Sequence, residues 1–258
     1  MSQSEPAVDF LCITPHTDDA EIGLGGTLRL LADRGRKVWV CDLTRGELAS
    51  NATPDERWRE ATAASELLGL TGRIQLALPD GFVDPGAAQQ VDAVTSVIRL
   101  LRPRWVATAP DARRHPDHLA TLPLVTKAVF MAHLASYQPG QPEMRIWPGP
   151  EFLPVPVEAA ATWRCEALFE TCPVGEQPSL IFDCSQTWQV KHDAIAAYPS
   201  QFSRDPGREA TMINDATWLA KIDRRGRYWG FKAGVDFGEA LRGQVVPRLT
   251  DLPEERWS

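Results

Sequence analysis

Basic residues are in short supply: 27 Lys and Arg face 34 Asp and Glu, a formal net charge of −7. Binding to nucleic acid needs a clustered excess of cations for phosphate, so that class of partner is excluded. Long apolar runs are missing as well. None reaches the ~18 residues of a membrane span, and the opening MSQSEPAVDFLCI lacks the basic region and apolar stretch of a secretion signal. A cytoplasmic protein with no membrane partner is expected. Cysteines are few and odd in number (Cys12, Cys41, Cys165, Cys172 and Cys184), with no C-x-x-C pair, which argues against a disulfide framework or a cysteine zinc site. Cys12 and Cys41 lie inside apolar runs and read as reduced core residues. No repeat and no Ser/Gly-rich linker divides the 258 residues, so one domain spanning 1–258 is expected.

What is present is an alternation of strand-like and helix-like segments, the signature of βαβ units. Phe10 to Thr14 reads as the first strand. After a Gly25-Gly26 turn, Thr27 caps a helix ended by Gly35, and Val38 to Leu43 forms the second strand. The series continues with a helix from Arg57 to Leu68, a strand from Arg73 to Leu78, a helix from Ala87 to Leu101, a strand from Trp105 to Ala109 and a helix from Leu119 to Ala135. Gln138 to Pro156 is too rich in Pro and Gly for regular structure and reads as a long loop. Beyond it, Thr162 to Phe169, Leu180 to Asp183 and Gly234 to Leu241 read as strands, and Thr187 to Ala197 and Ala216 to Ile222 as helices. The fold class is α/β, Rossmann-like, with a largely parallel central sheet and helices on both faces.

Two clusters carry chemistry. His16-Thr17-Asp18-Asp19-Ala20-Glu21 follows the first strand directly, where open α/β sheets place their ligands. A histidine and a carboxylate three residues apart, His16 and Asp19, reach one metal ion and leave Asp18 available as a base. The competing reading is an acidic helix cap. His115-Pro116-Asp117-His118 follows another strand. Zinc hydrolases need three protein ligands and an open position for water, and the two clusters together supply them. Asp117 either orients the ring N–H of a ligand histidine or caps the helix that follows. His133 and His192, inside helices, read as packing or surface residues. The Gly23, Gly25, Gly26 group is not a dinucleotide fingerprint, because the third glycine of G-x-G-x-x-G would fall at Leu28. Trp163, Trp188, Trp218 and Trp229 read as packing residues.

The paired motifs ITPHTDDAEIGLGGTL and RRHPDHLAT resemble the metal-dependent deacetylase family that includes the N-acetylglucosaminyl-phosphatidylinositol deacetylases. CDLTRGELASNAT, LALPDG, AYPSQF and KAGVDFGEAL are similar to the bacterial branch that deacetylates N-acetylglucosaminyl malate in bacillithiol synthesis. The resemblance implies that His16, Asp19 and His118 hold one Zn2+ per chain, that Asp18 is the general base, and that His115 handles the oxyanion and a proton. It also implies sugar contacts at Arg57 and Asp80, and a homo-oligomer, trimeric or hexameric. Two departures stand out: Thr17 occupies the place of the family's proline, and the segment 138–156 matches no family pattern.

The expected partner is a small sugar conjugate. Arg113 and Arg114, just before the second motif, are candidates for an acidic group on it, with Arg45 as the next choice. The same donor set also accepts iron(II), cobalt or manganese. Two other functions compete: the same chemistry on an inositol-linked or oligomeric sugar, and a metal- or sugar-binding module without turnover. Asp18 favours an enzyme, since a binding module has no need of a spare carboxylate beside its metal.

Overall fold

A computed structural model describes residues 5–108, 115–154, 161–203, 207–211, 213–215 and 217–243. In chain order the elements are β1 (Val8–Thr14), α1 (Asp19–Asp33), β2 (Val38–Thr44), α2 (Pro54–Leu68), β3 (Gly72–Leu78), α3 (Ala88–Leu101), β4 (Pro103–Thr108) and α4 (Pro116–Ala132). They continue with β5 (Glu143–Ile146), β6 (Leu153–Pro154), β7 (Ala167–Thr171), β8 (Leu180–Asp183), α5 (Trp188–Ala196), α6 (Pro199–Phe202), α7 (Trp218–Ala233) and β9 (Gly238–Arg242). One sheet holds these strands in the order β6-β5-β3-β2-β1-β4-β7-β9-β8. Its centre, β3-β2-β1-β4-β7, is parallel, and β5, β6, β9 and β8 add antiparallel edges. The α/β class with a largely parallel centre is therefore as expected.

Side-chain alternation along β1 builds both layers. Leu11 and Ile13 pack with Val94, Val97 and Ile98 of α3 and Leu124, Val125 and Ala128 of α4. Phe10 and Cys12 pack on the opposite face with Leu24 and Leu28 of α1, Trp58, Ala61 and Leu68 of α2, and Ala194 of α5. All five cysteines are free, and Cys12 and Cys41 are buried. The chain winds outward from β1 through β2 to β3, then returns to place β4 on the other side of β1. That reversal is the point where open α/β sheets form a crevice at their carboxyl ends.

Three expectations need correction. The first helix does not begin at Thr27: α1 starts at Asp19 and runs through the glycines with one non-helical residue, Leu24 (φ −136°, ψ 15°). The break is stabilised by side chains inserted into the ladder. Glu239 accepts the Gly26 and Thr27 N–H groups at 3.2 and 2.7 Å, and the Ile22 carbonyl accepts from Lys191 Nζ at 2.9 Å and Arg225 Nη2 at 2.6 Å. Lys191 and Glu239, both buried, also pair with each other. A Cβ on Gly26 would lie 2.8 Å from that of Cys184, so glycine is needed here for close approach.

The segment 138–156 contains two short strands, β5 and β6, that extend the sheet beyond β3. Arg145 of β5 anchors them. Its Nε donates to Gln75 Oε1 at 2.8 Å, and its guanidinium sits 4.5 Å from the Trp58 ring centroid. A strand docked by a buried cation shows no alternation of apolar residues. Helix α7, finally, runs well past Ile222. It continues through two glycines: a Cβ on Gly226 would lie 2.2 Å from the Trp188 ring and one on Gly230 2.7 Å from the Asp236 carbonyl. A helical glycine costs ~1 kcal/mol. Burying an indole such as Trp188 or Trp229 contributes roughly 4 kcal/mol and outweighs it.

Among the described residues, no helix is long and apolar enough to cross a membrane.

Candidate functional site

The neighbouring strands β1 and β4 bring the two histidine motifs together at their carboxyl ends. His16 follows β1 and Asp19 opens α1. The second motif is helical where a loop was expected: α4 begins at Pro116, with His115 as its N-cap and His118 in its first turn. Proline at the first helical position fixes the backbone there and lacks an N–H that would have no helical partner anyway.

Three donor atoms converge. Asp19 Oδ2 lies 3.1 Å from His16 Nδ1 and 3.2 Å from His118 Nε2, and the two imidazole nitrogens are 3.3 Å apart. Ligands bonded at 2.0–2.1 Å to a tetrahedral ion stand about 3.3 Å apart, so the triangle fits one divalent metal. On the far side of its ring, His16 Nε2 meets Asp80 Oδ1 at 3.1 Å and Asp117 Oδ2 at 3.5 Å. These carboxylates fix the proton on Nε2 and turn the Nδ1 lone pair toward the metal position. Both acids are themselves held. Asp117 accepts the Gly81 and Val83 N–H groups at 2.8 and 3.1 Å, and Asp80 Oδ2 accepts the Leu48 N–H at 2.9 Å.

Burial alone would discharge the His16 imidazole. Its bonds to Asp117, Asp19 and Asp80 outweigh that and raise its pKa well above the usual value. A cation entering between Nδ1 and Asp19 competes with a proton for the same donors.

Asp18 is the N-cap of α1 yet makes no side-chain cap bond. Its Oδ1 accepts instead from Arg57 Nη2 at 3.0 Å, and both side chains are buried. Arg57 reaches Asp18 past Gly46, whose φ of +67° suits glycine and whose missing Cβ would lie 2.4 Å from Arg57 Nη1. We expect Gly46→Ala to displace the guanidinium and lower kcat by about 10- to 100-fold, because small misplacements of positioning groups are costly. Steady-state kinetics with unchanged metal content checks this, and full activity would show that Arg57 tolerates the shift.

Beneath the motif, Arg73 is fully buried. Its Nε and Nη2 bind the two Asp42 oxygens at 2.6 and 2.8 Å, Nη1 binds Glu21 at 2.7 Å, and Nη2 also holds the Thr17 carbonyl at 2.6 Å. Tyr198 Oη donates to the same carbonyl. The residues flanking Thr17 therefore rest on a fixed platform. Sequence reasoning passed over Arg73 and Asp42 as strand residues, and their only signal was charge inside apolar runs.

A cavity of about 480 Å³ opens over the site, lined at its floor by His16, Asp18, Asp19, Arg57, Asp80, His115 and His118. Leu48, Val174, Ile213, Trp218 and Ile222 form apolar walls. Trp218 packs against the cluster of Cys184, Trp188, Ile195 and Ile222 and lines the cavity as well, whereas Trp163, Trp188 and Trp229 are buried. Arg113 and Arg114 lie outside the described residues. Arg45 stacks over Phe152 at 5.2 Å from its ring centroid and does not line the cavity. His192 pairs with Asp223 at 2.8 Å, and His133 is the C-cap of α4.

The sequence matches the family model for PIG-L, GlcNAc-PI de-N-acetylase, over residues 11–129, which contain both motifs. Among curated relatives, diacetylchitobiose deacetylase of Thermococcus kodakarensis is 26% identical, aligning 90% of this chain with 81% of its own. A probable N-acetyl-α-D-glucosaminyl L-malate deacetylase of Bacillus cereus is 28% identical over 74% of this chain and 82% of its own. Among solved structures, the conserved protein TT1542 of Thermus thermophilus superposes with a TM-score of 0.77 at 33% identity, covering 97% of this chain and all of that one. With the motifs, the fold and the relatives in agreement, the chain belongs to the PIG-L family of deacetylases.

Proposed function

We propose that the protein hydrolyses the N-acetyl group of an N-acetylglucosamine conjugate, using one Zn2+ held by His16, Asp19 and His118, and that its substrate is N-acetylglucosaminyl malate of bacillithiol biosynthesis. The observation that carries this reading is a spare carboxylate, Asp18, beside the converged donors at the floor of a cavity of sugar-conjugate size. A bound zinc ion supplies polarisation of the acetyl carbonyl and a lowered pKa for water.

The chain's own groups do the rest. Asp18, held through Oδ1 by Arg57, takes the proton of the attacking water at its other oxygen. His115 Nδ1 accepts the Asp117 N–H at 3.3 Å, which places the proton of the neutral ring on Nε2. That N–H is a donor for the oxyanion, a contribution typically worth ~3 kcal/mol. The leaving amine takes its proton from Asp18, which gained one from the attacking water; His115 supplies it instead only when its ring is protonated. Asp80 and Asp117 keep His16 in the ligating tautomer, and Asp80 also lines the cavity where the sugar would lie.

The malate assignment rests on the Bacillus cereus relative and on the matched bacterial motifs. The Thermococcus relative supports an oligosaccharide as the second reading. The test measures acetate release by metal-loaded protein from N-acetylglucosaminyl malate, diacetylchitobiose and free N-acetylglucosamine. The malate conjugate should give the highest kcat/KM. A chelator should abolish release and stoichiometric Zn2+ restore it. Absence of acetate from all three by metal-replete protein would leave an inositol-linked sugar as substrate or a binding module.

A further inference from the structure

Helix α7 crosses the outer part of the cavity. Trp218, Lys221, Ile222 and Arg225 all line it, at the i, i+3, i+4, i+7 spacing that gathers residues on one helical stripe. The helix is strongly basic in an acidic protein: Lys221, Arg224, Arg225, Arg227 and Lys232 outnumber its single acid, Asp223. Asp223 is engaged elsewhere, accepting from Trp188 Nε1 and paired with His192 Nε2, each at 2.8 Å. The cavity therefore runs from a carboxylate-rich floor at Asp18, Asp19 and Asp80 to a wall bearing two cations.

Arg225 is also held in place. Its Nη2 donates at 2.6 Å to the Ile22 carbonyl, the group exposed by the break in α1. One of its five N–H donors thus pins the guanidinium at the cavity wall. Lys221 Nζ lies 5.6 Å from the Trp218 ring centroid, which steadies a long flexible chain over an apolar surface.

We propose that Lys221 and Arg225 form an anion-binding subsite for the group attached to the sugar, so that the preferred substrate carries a carboxylate there. Trp218 and Ile222 supply its apolar side. This assigns the acid contact to α7 rather than to Arg45, and it rests on the deacetylase reading. Binding energy gained at this remote point orients the amide at the floor.

The experiment uses metal-loaded full-length protein with two probes, N-acetylglucosaminyl malate and its neutral dimethyl ester, read by both kcat/KM and calorimetric Kd. The acid should be favoured about 10- to 100-fold in the wild type, the range expected of one or two charge-assisted contacts. Lys221→Met and Arg225→Met should each reduce that ratio, and together abolish it. Arg225→Lys should keep part of it, and Lys221→Met gives a reading that leaves the Ile22 bond untouched. Equal values for acid and ester in the wild type would overturn the proposal, as would an unchanged ratio in both Met variants. If neither probe released acetate, the malate-deacetylase reading would fail, while the Kd ratio would still decide the subsite.

Discussion

Asp18→Asn lowers kcat by about 100- to 10,000-fold while the protein keeps a full complement of divalent metal; this is the largest catalytic effect expected. The amide preserves the shape of the carboxylate and can still offer an oxygen to Arg57 Nη2, now 3.0 Å away. It cannot take a proton from water. The three converging donors, His16 Nδ1, Asp19 Oδ2 and His118 Nε2, are on other side chains and stay in place. Metal analysis together with kcat separates loss of the base from loss of the ion. A variant with stoichiometric metal and near-normal turnover would move the general base elsewhere, with His115 the next candidate.

The largest stability effect is expected at Arg73. Arg73→Met leaves Asp42 and Glu21 fully buried without their cation, and breaking a buried charge network from one side typically costs about 3 to 5 kcal/mol. The loss should grow with pH. Burial already raises the pKa values of Asp42 and Glu21 even though Arg73 opposes it. Without Arg73 both rise further, so the folded state holds protons that the unfolded chain has released, and stability falls as pH increases. Denaturant unfolding of both proteins from about pH 4 to about pH 7 should show the gap widening toward neutrality. Adding Asp42→Asn and Glu21→Gln should recover part of the loss, since neutral groups of similar shape cost less to bury. A gap below about 1 kcal/mol at neutral pH would mean that the network contributes little. Because Arg73 also holds the Thr17 carbonyl, the single variant should lose activity before it unfolds.

How far the residues alone reach can be judged from particular elements. The two clusters holding His16, Asp18, Asp19, His115 and His118 were legible because metal chemistry restricts residue type and spacing, and because they follow β1 and β4 in the chain; the division of roles within them came from the family resemblance. The parallel centre was legible for a similar reason: each strand is a short apolar run followed by a turn and an amphipathic helix. Local pattern and local chemistry coincide in these places.

Elsewhere the deciding partner is distant in sequence. Leu24 interrupts α1, yet the helix continues because Lys191 and Glu239 bind the groups that the break releases. The helix expected to end at Ile222 runs on through Gly226 and Gly230, where Trp188 and the Asp236 backbone occupy the space a Cβ would need. Trp218 both packs and lines the cavity, and no local pattern separates that from a purely core tryptophan, because it depends on α7 and His16 lining one cavity. The sequence by itself determined the α/β class and the two motifs, since these follow from periodicity and ligand preference, and the motifs' family resemblance supplied the type of chemistry. Only the tertiary structure decided which carboxylates orient His16, how Arg57 reaches Asp18 and which cations line the cavity. Each of those depends on contacts between segments some 40 to 200 residues apart, and no local propensity encodes them.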